Sequence, residues 1–120
     1  MIKSLEILSK HEGRIFPEEG AYDYVSNYGS GYCFPKDGTL YVPVIMASDP
    51  GKGHGTQLLG QLENLVKSQP KLNKIAFPGI INPILRRMVI KRRYKCKFEF
   101  FKEMDENIEV WFKEMDGDSE

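Results

Sequence analysis

Apolar positions along this chain repeat in two distinct periods. Leu58, Leu59, Leu62, Leu65 and Val66 stand at i, i+1, i+4, i+7 and i+8, a single stripe at the period of an α-helix. Ser68-Gln69-Pro70 ends that helix. Leu40 to Ala47 and Tyr32-Cys33-Phe34 are β-rich runs, and Pro35-Lys36-Asp37-Gly38-Thr39 between them has the composition of a hairpin loop. Pro43 removes a ladder donor from the longer run, so that strand must carry a bulge or an unpaired position there. Lys74-Ile75-Ala76-Phe77 predicts a short buried strand stopped by Pro78-Gly79. Asn82-Pro83 predicts a helix start, with Asn as N-cap and Pro in the first turn; Ile84, Leu85, Met88 and Val89 form its inner face to about Arg93. Cys96, Phe98 and Phe100 alternate with Lys95, Lys97 and Glu99, as Ile108, Val110 and Phe112 do with Glu109, Trp111 and Lys113; Met104-Asp105-Glu106-Asn107 lies between the two runs. This is a C-terminal hairpin followed by a polar tail from about Gly117.

The first 31 residues are less regular. Ile2, Leu5 and Leu8 have loose helical spacing, Phe16-Pro17-Glu18-Glu19-Gly20 is a turn, and Ala21 to Tyr28 is expected as an edge strand broken by Gly29-Ser30-Gly31. The order strand, strand, helix, strand, helix, strand, strand is a mixed α/β (α+β) pattern, with a crossover helix between the long strand and the strand of Ile75.

At 120 residues, the chain is expected to form one domain, 1–120, around one core. No apolar run approaches the ~18–20 residues needed to span a bilayer. The segment Met1-Ile2-Lys3-Ser4-Leu5-Glu6 has no signal-peptide core. A cytoplasmic protein with no membrane partner is therefore expected, its Cys33 and Cys96 reduced and structural. No metal site is expected.

Candidate chemistry lies between the long strand and the Leu-striped helix, in Ser48-Asp49-Pro50-Gly51-Lys52-Gly53-His54-Gly55-Thr56. Glycines at alternate positions let the main chain bend tightly and aim successive N–H groups outward, and the helix that follows adds the positive end of its dipole. Such a loop is an anion cradle or a plain strand-to-helix turn. It is not a Walker A loop, because Gly53 rather than Ser or Thr follows Lys52, and the spacing is not that of a dinucleotide fingerprint.

The run Pro50-Gly51-Lys52-Gly53-His54-Gly55-Thr56-Gln57-Leu58-Leu59 resembles the pyrophosphate-binding loop of the GNAT superfamily of N-acetyltransferases, Arg/Gln-x-x-Gly-x-Gly/Ala ahead of a Leu-rich helix. The downstream strand, the helix that begins at Asn82 and the final hairpin follow that family's order, so the resemblance covers about residues 38 to 114. It implies a mixed, mostly antiparallel twisted sheet flanked by helices, and direct attack of a primary amine on acetyl-coenzyme A. It implies that Gly51, Lys52, Gly53, His54, Gly55 and Thr56 bind the coenzyme pyrophosphate. Main-chain groups of Ile45, Met46 and Ala47 would then pair with pantetheine and thioester, and Asn82 would contact the pantetheine arm, unless it is only an N-cap. Two positions depart from the pattern. The leading Arg or Gln is Pro50, and the position of the acid tyrosine is Val89. Tyr94 is the nearest candidate for the general acid, with aromatic packing as its alternative. No Glu stands in the 40–47 strand to act as base, and His54, Asp49 and Asp23 are weak candidates.

The charges add a partner question. Seventeen basic and seventeen acidic residues give a net charge of zero, which argues against a wholly basic or wholly acidic coat. Arg86, Arg87, Lys91, Arg92, Arg93, Lys95 and Lys97 nevertheless make one segment purely basic, and the stretch from Phe98 onward is strongly acidic. The basic helix face is expected to be solvent-facing. It could pair locally with the acidic hairpin, bind the coenzyme 3′-phosphate or an acidic acceptor, or dock nucleic acid through Arg86, Arg87, Lys91, Arg92 and Arg93. Only 47 residues precede the loop, so the acceptor groove is expected to be open and to suit a protein or another macromolecular amine. A catalytically weak binding module is the alternative, and a homodimer is possible through an exposed edge strand.

Overall fold

The computed structural model describes residues 6–10 in their main chain and residues 22–49, 51–102 and 104–115 in full. The expected turn at Phe16–Gly20, Pro50 and the polar tail lie outside the described residues. The strands are β1 (Glu6–Lys10), β2 (Tyr22–Ser26), β3 (Gly29–Lys36), β4 (Thr39–Ala47), β5 (Lys74–Pro78), β6 (Lys95–Phe101) and β7 (Glu106–Glu114); helix α1 (His54–Ser68) precedes β5 and α2 (Pro83–Lys91) follows it. The strands form one sheet in the order β1-β2-β3-β4-β5-β7-β6. Among the described residues only the β4–β5 pair is parallel. Every other pair is antiparallel.

Strand alternation divides the interior into two layers. Cys33, Leu40, Val42, Ile75 and Phe77 point to the face that carries both helices, where Leu58, Leu59, Leu62 and Val66 of α1 and Val89 of α2 complete the cluster. Their neighbours Tyr32, Phe34, Tyr41, Ala76 and Val110 point to the other face, with Phe101. The stripe read from α1 is thus the buried one. Each of its fully buried aliphatic side chains contributes roughly 1.5–3 kcal/mol.

Several sequence expectations are corrected. Leu8 lies in β1, so the loose helical spacing near the start does not describe that residue. Tyr22–Ser26 is flanked by β1 and is not an edge. Gly29 and Gly31 do not break a strand but belong to β3. A Cβ on Gly29 would collide with the Met46 carbonyl and Leu58, and one on Gly31 with the Val44 carbonyl and the Tyr24 hydroxyl, so these glycines permit close packing. Helix α2 ends at Lys91, two residues early, because Arg93 takes a left-handed conformation (φ 70°) in the closing turn. Cys33 is buried, and burial pushes its thiol up to about 12, helped by Asp23; Cys96 is exposed, and both are free thiols.

A polar knot ties the helix layer to the sheet. Glu63, buried on α1, pairs with the Arg92 guanidinium, whose Nε donates to Glu63 Oε2 at 3.3 Å. The Tyr94 hydroxyl donates to the same oxygen at 2.7 Å, and Lys113 Nζ of β7 donates to the Arg92 carbonyl at 3.0 Å. Burial raises the Glu63 pKa, but the bonds from Arg92 and Tyr94 outweigh it and hold the carboxyl below its ordinary range. A carboxylate with a depressed folded-state pKa stabilises fully above its unfolded value and loses that contribution as pH falls through the folded value. Glu63→Gln is therefore expected to cost about 1–3 kcal/mol in urea unfolding at pH 7. The difference from wild type should shrink in acid, and equal stability at pH 7 would show that the knot is inert.

Candidate functional site

The β4–β5 ladder stops early. It runs from Thr39↔Lys74 to Tyr41↔Ala76 and no further, although β4 continues to Ala47. Two prolines account for this. Pro43 and Pro78 follow the last pair on the two strands, and neither has an N–H to give the ladder. On its other side, β4 shifts register against β3: Tyr32 faces Val44 but Phe34 faces Tyr41, which places one extra residue in β4 around Val42-Pro43. This is the bulge that Pro43 predicted. The Tyr24 hydroxyl donates to the Val44 carbonyl at 2.8 Å and holds the displaced segment.

A cleft of about 460 Å³ opens where the strands part. Val42, Pro43, Val44 and Ile45 form one wall, Phe77, Pro78 and Gly79 the other, and Ile80, Ile81, Asn82 and Leu85 lead into α2, with Met104 and Ile108 from the C-terminal hairpin. The walls are mostly apolar, and among the described residues the main chain of β4 beyond Tyr41 has no partner strand on this side. Of the strand positions expected to meet a thioester, Ile45 lines the cleft. Met46 lines a shallower depression with Tyr24, Ser30 and Gly31, and Ala47 packs near Gly55 of α1.

The glycine loop forms the other half of the site. Gly51 and Gly53 have φ of 91° and 76°, a left-handed region open to glycine at no steric cost. Gly53 is the N-cap of α1; no side chain caps the helix and no acid lies in its first turn. The first intrahelical bond is that of Gln57 to the Gly53 carbonyl at 3.2 Å, which leaves the amides of His54, Gly55 and Thr56 as the orphan donors of a helix start. The Lys52 amide is already used in a turn with the Asp49 carbonyl at 3.3 Å, and its ammonium lies 3.9 Å from the Asp49 carboxylate.

His54 is occupied structurally. Its Nδ1 is 2.9 Å from Ser48 Oγ, its ring stands edge-on to Tyr28 at 5.2 Å, and the Ser48 hydroxyl donates to the Asn27 carbonyl at 3.2 Å. These contacts fasten the start of α1 to the β2–β3 turn. Gly55 seats the same turn of helix against Met88 of α2 and Ala47 of β4. The cradle and the cleft therefore share one strand: Ile45 and Ala47 are about 7 Å apart along β4, with the cleft at one and α1 at the other.

Asn82 is an N-cap and also lines the cleft: its Oδ1 accepts from the Ile84 amide at 2.8 Å. Tyr94 does not join these groups. It is buried in the helix layer against Phe77, its hydroxyl is given to Glu63, and burial and then that carboxylate push its pKa well up. Val89 is fully buried core. On the basic face Arg87, Lys91 and Arg93 are exposed as expected, whereas Arg86 and Arg92 are partly withdrawn from solvent. Arg86 folds onto β7, with Nη2 2.6 Å from Glu109 Oε1 and 3.2 Å from the Ile80 carbonyl, and its guanidinium over the Trp111 ring at 5.7 Å. Arg92 is held by Glu63. Local pairing with the hairpin is thus what Arg86 does.

The cleft residues Val44, Ile80, Ile81, Leu85, Met104 and Ile108 were not expected as site residues; the spacing placed Leu85 and Ile108 only on the faces of their elements. The available signal was a pair of prolines, one in each of two strands joined by a crossover helix.

No family model and no curated protein matches the sequence. Solved structures do match. NAA60 of Arabidopsis thaliana in complex with a bisubstrate analogue superposes with a TM-score of 0.60 at 10% identity, over 83% of this chain and 78% of that one. A protein described as a GNAT-family acetyltransferase from Desulfovibrio desulfuricans gives 0.60 at 15% identity, over 80% and 69%. Naa50 of Arabidopsis thaliana in complex with the bisubstrate analogue CoA-Ac-MVNAL gives 0.55 at 16% identity, over 78% and 71%. With a sheet opened between its two parallel strands and a glycine cradle on the helix that joins them, the chain has the fold of the GNAT N-acetyltransferases.

Proposed function

We propose that this protein is an acetyl-coenzyme A-dependent N-acetyltransferase acting on a primary amine of a protein or peptide. The observation that carries the reading is the sharing of β4 by the apolar cleft and the uncapped N-terminus of α1. One extended ligand with an anionic end and an acyl end fits both. The amides of His54, Gly55 and Thr56 would hold the pyrophosphate, with Lys52 beside them, and β4 around Ile45 would hold the pantetheine and thioester through main-chain groups. Asn82 stands at the opposite lip.

Bound there, acetyl-coenzyme A supplies an activated acyl carbon and a thiolate leaving group. Attack forms an N–C bond and breaks the C–S bond; the acceptor loses one proton. The protein's part is placement and main-chain hydrogen bonding to the developing oxyanion, which together supply much of an acyl-transfer rate enhancement. The departing group is an alkyl thiolate, a weak enough base to leave without a strong acid; the acceptor nitrogen gives its proton to solvent and the thiolate takes one from it, which is compatible with Val89 in the core and Tyr94 committed to Glu63.

The walls also bear on the acceptor. An apolar cleft penalises an ammonium, so the amine must enter as free base. An α-amino group near pKa 8 meets that condition far more readily than a lysine near 10.4. The neighbours with bisubstrate analogues, one of them carrying the peptide MVNAL, agree with a peptide acceptor.

Calorimetry with acetyl-coenzyme A is expected to show one site per chain, and no binding would overturn the proposal. Gly53→Val forces a β-branched residue into the left-handed region while its Cβ meets open space. It is expected to weaken coenzyme binding about tenfold or more with the fold intact by circular dichroism. Thiol release should be on the order of 100-fold faster near neutral pH with a peptide bearing a free α-amine than with an Nα-blocked lysine peptide. Equal rates would remove the α-amine preference, and binding without turnover on either would mark a coenzyme-binding module.

A further inference from the structure

We infer that the open edge of β6 is a self-association surface, on which a second copy of this chain pairs antiparallel about a two-fold axis at Phe98. β6 is the last strand of the sheet, with β7 on one side and no strand on the other among the described residues. Its pairing with β7 is unbroken from Lys95↔Phe112 to Phe101↔Glu106, so neither bulge nor proline blunts the edge. Such an edge is a template for another strand.

Alternation puts Cys96, Phe98 and Phe100 on the helix-bearing face, opposite Trp111, Glu109 and Asn107. Arg86 of α2 reaches Trp111 and Glu109 of β7, but the aromatic stripe beyond them stays uncovered: Phe98 is 71% and Phe100 55% exposed. Lys95, Lys97 and Glu99 occupy the other face. A flat edge with an aromatic stripe on one side and charges of both signs on the other suits a strand of the same composition.

The charges select one register. Two-fold antiparallel pairing that keeps the aromatic stripe on one face can be centred on Lys97, Phe98 or Glu99. Centres on Lys97 or Glu99 set like charges against each other on the axis. The centre on Phe98 sets Phe98 beside its copy, Cys96 beside Phe100 and Lys97 beside Glu99, each twice. A slip of one residue would mix the aromatic and charged faces. Within one chain, Lys97 Nζ already lies 3.7 Å from Glu99 Oε1, and Glu99 accepts the Tyr41 hydroxyl at 2.8 Å. In the pair, two lysines and two glutamates would alternate around the axis, and two seven-stranded sheets would run on as one. Cys96 faces Phe100 of the second copy, so the association needs no disulfide.

Sedimentation of the full chain with reductant, over a concentration series reaching hundreds of micromolar, is expected to show a monomer–dimer equilibrium. Lys97→Glu or Glu99→Lys sets like charges opposite each other at two positions, and each is expected to weaken the dimer on the order of 10- to 30-fold. An equimolar mixture of the two variants restores opposite charges at both positions and should dimerise as well as wild type. That rescue requires both variants to be folded. A wild type that stays monomeric overturns the inference. So does a dimer that either variant leaves intact, or a mixture that fails to recover.

Discussion

The site depends on a hydrogen-bond ladder that ends early. Among the described residues β4 and β5 are the only parallel neighbours in the sheet, joined through α1, and they share three residue pairs before Pro43 and Pro78 deny them further donors. Had the ladder continued, the strands would have closed on each other and no apolar cleft would separate them. Because it stops, β4 keeps an unpaired main-chain edge inside the protein, a state tolerated where a ligand supplies the missing partners. The bulge at Val42-Pro43 and the bond from Tyr24 to Val44 hold that edge in place.

Helix α1 serves the sheet at one end and the candidate ligand at the other. Its leucine stripe fills the core and Glu63 ties it to Arg92 and Tyr94. Its first turn is held by His54 on Ser48 and by Gly55 against Ala47 and Met88. The orphan amides are thus presented from a braced helix rather than from a loose loop.

Part of the charge in the C-terminal third is paired inside the chain. Arg86 meets Glu109, Arg92 meets Glu63 and Lys97 meets Glu99. Two of the five basic residues considered for nucleic acid, Arg86 and Arg92, therefore have carboxylate partners within the chain, while Arg87, Lys91 and Arg93 are exposed. The aromatic stripe on β6 is the less balanced feature, since apolar surface in such a row has no favourable contact with water.

Local patterns in the sequence were sufficient for most elements. The period-3.6 stripe of α1, the Asn82-Pro83 start of α2, the hairpin alternation after Lys95 and the bulge demanded by Pro43 all rest on interactions within a few residues. The glycine cradle is of the same kind, because Gly51 and Gly53 need only their own φ. What lies far apart in sequence was not legible. Gly29 and Gly31 resemble breakers until Met46 and Tyr24 pack against them; Tyr94 resembles an acid until Glu63, thirty-one positions earlier, accepts the hydrogen bond of its hydroxyl. Arg86 resembles a solvent charge until β7 brings Glu109 under it. The sequence by itself determined which residues turn, coil and alternate, since those choices follow from backbone sterics and local periodicity. Only the tertiary structure decided which alternating face is covered, which charges are satisfied and where two strands part, because each depends on the long-range neighbour that supplies or withholds a partner.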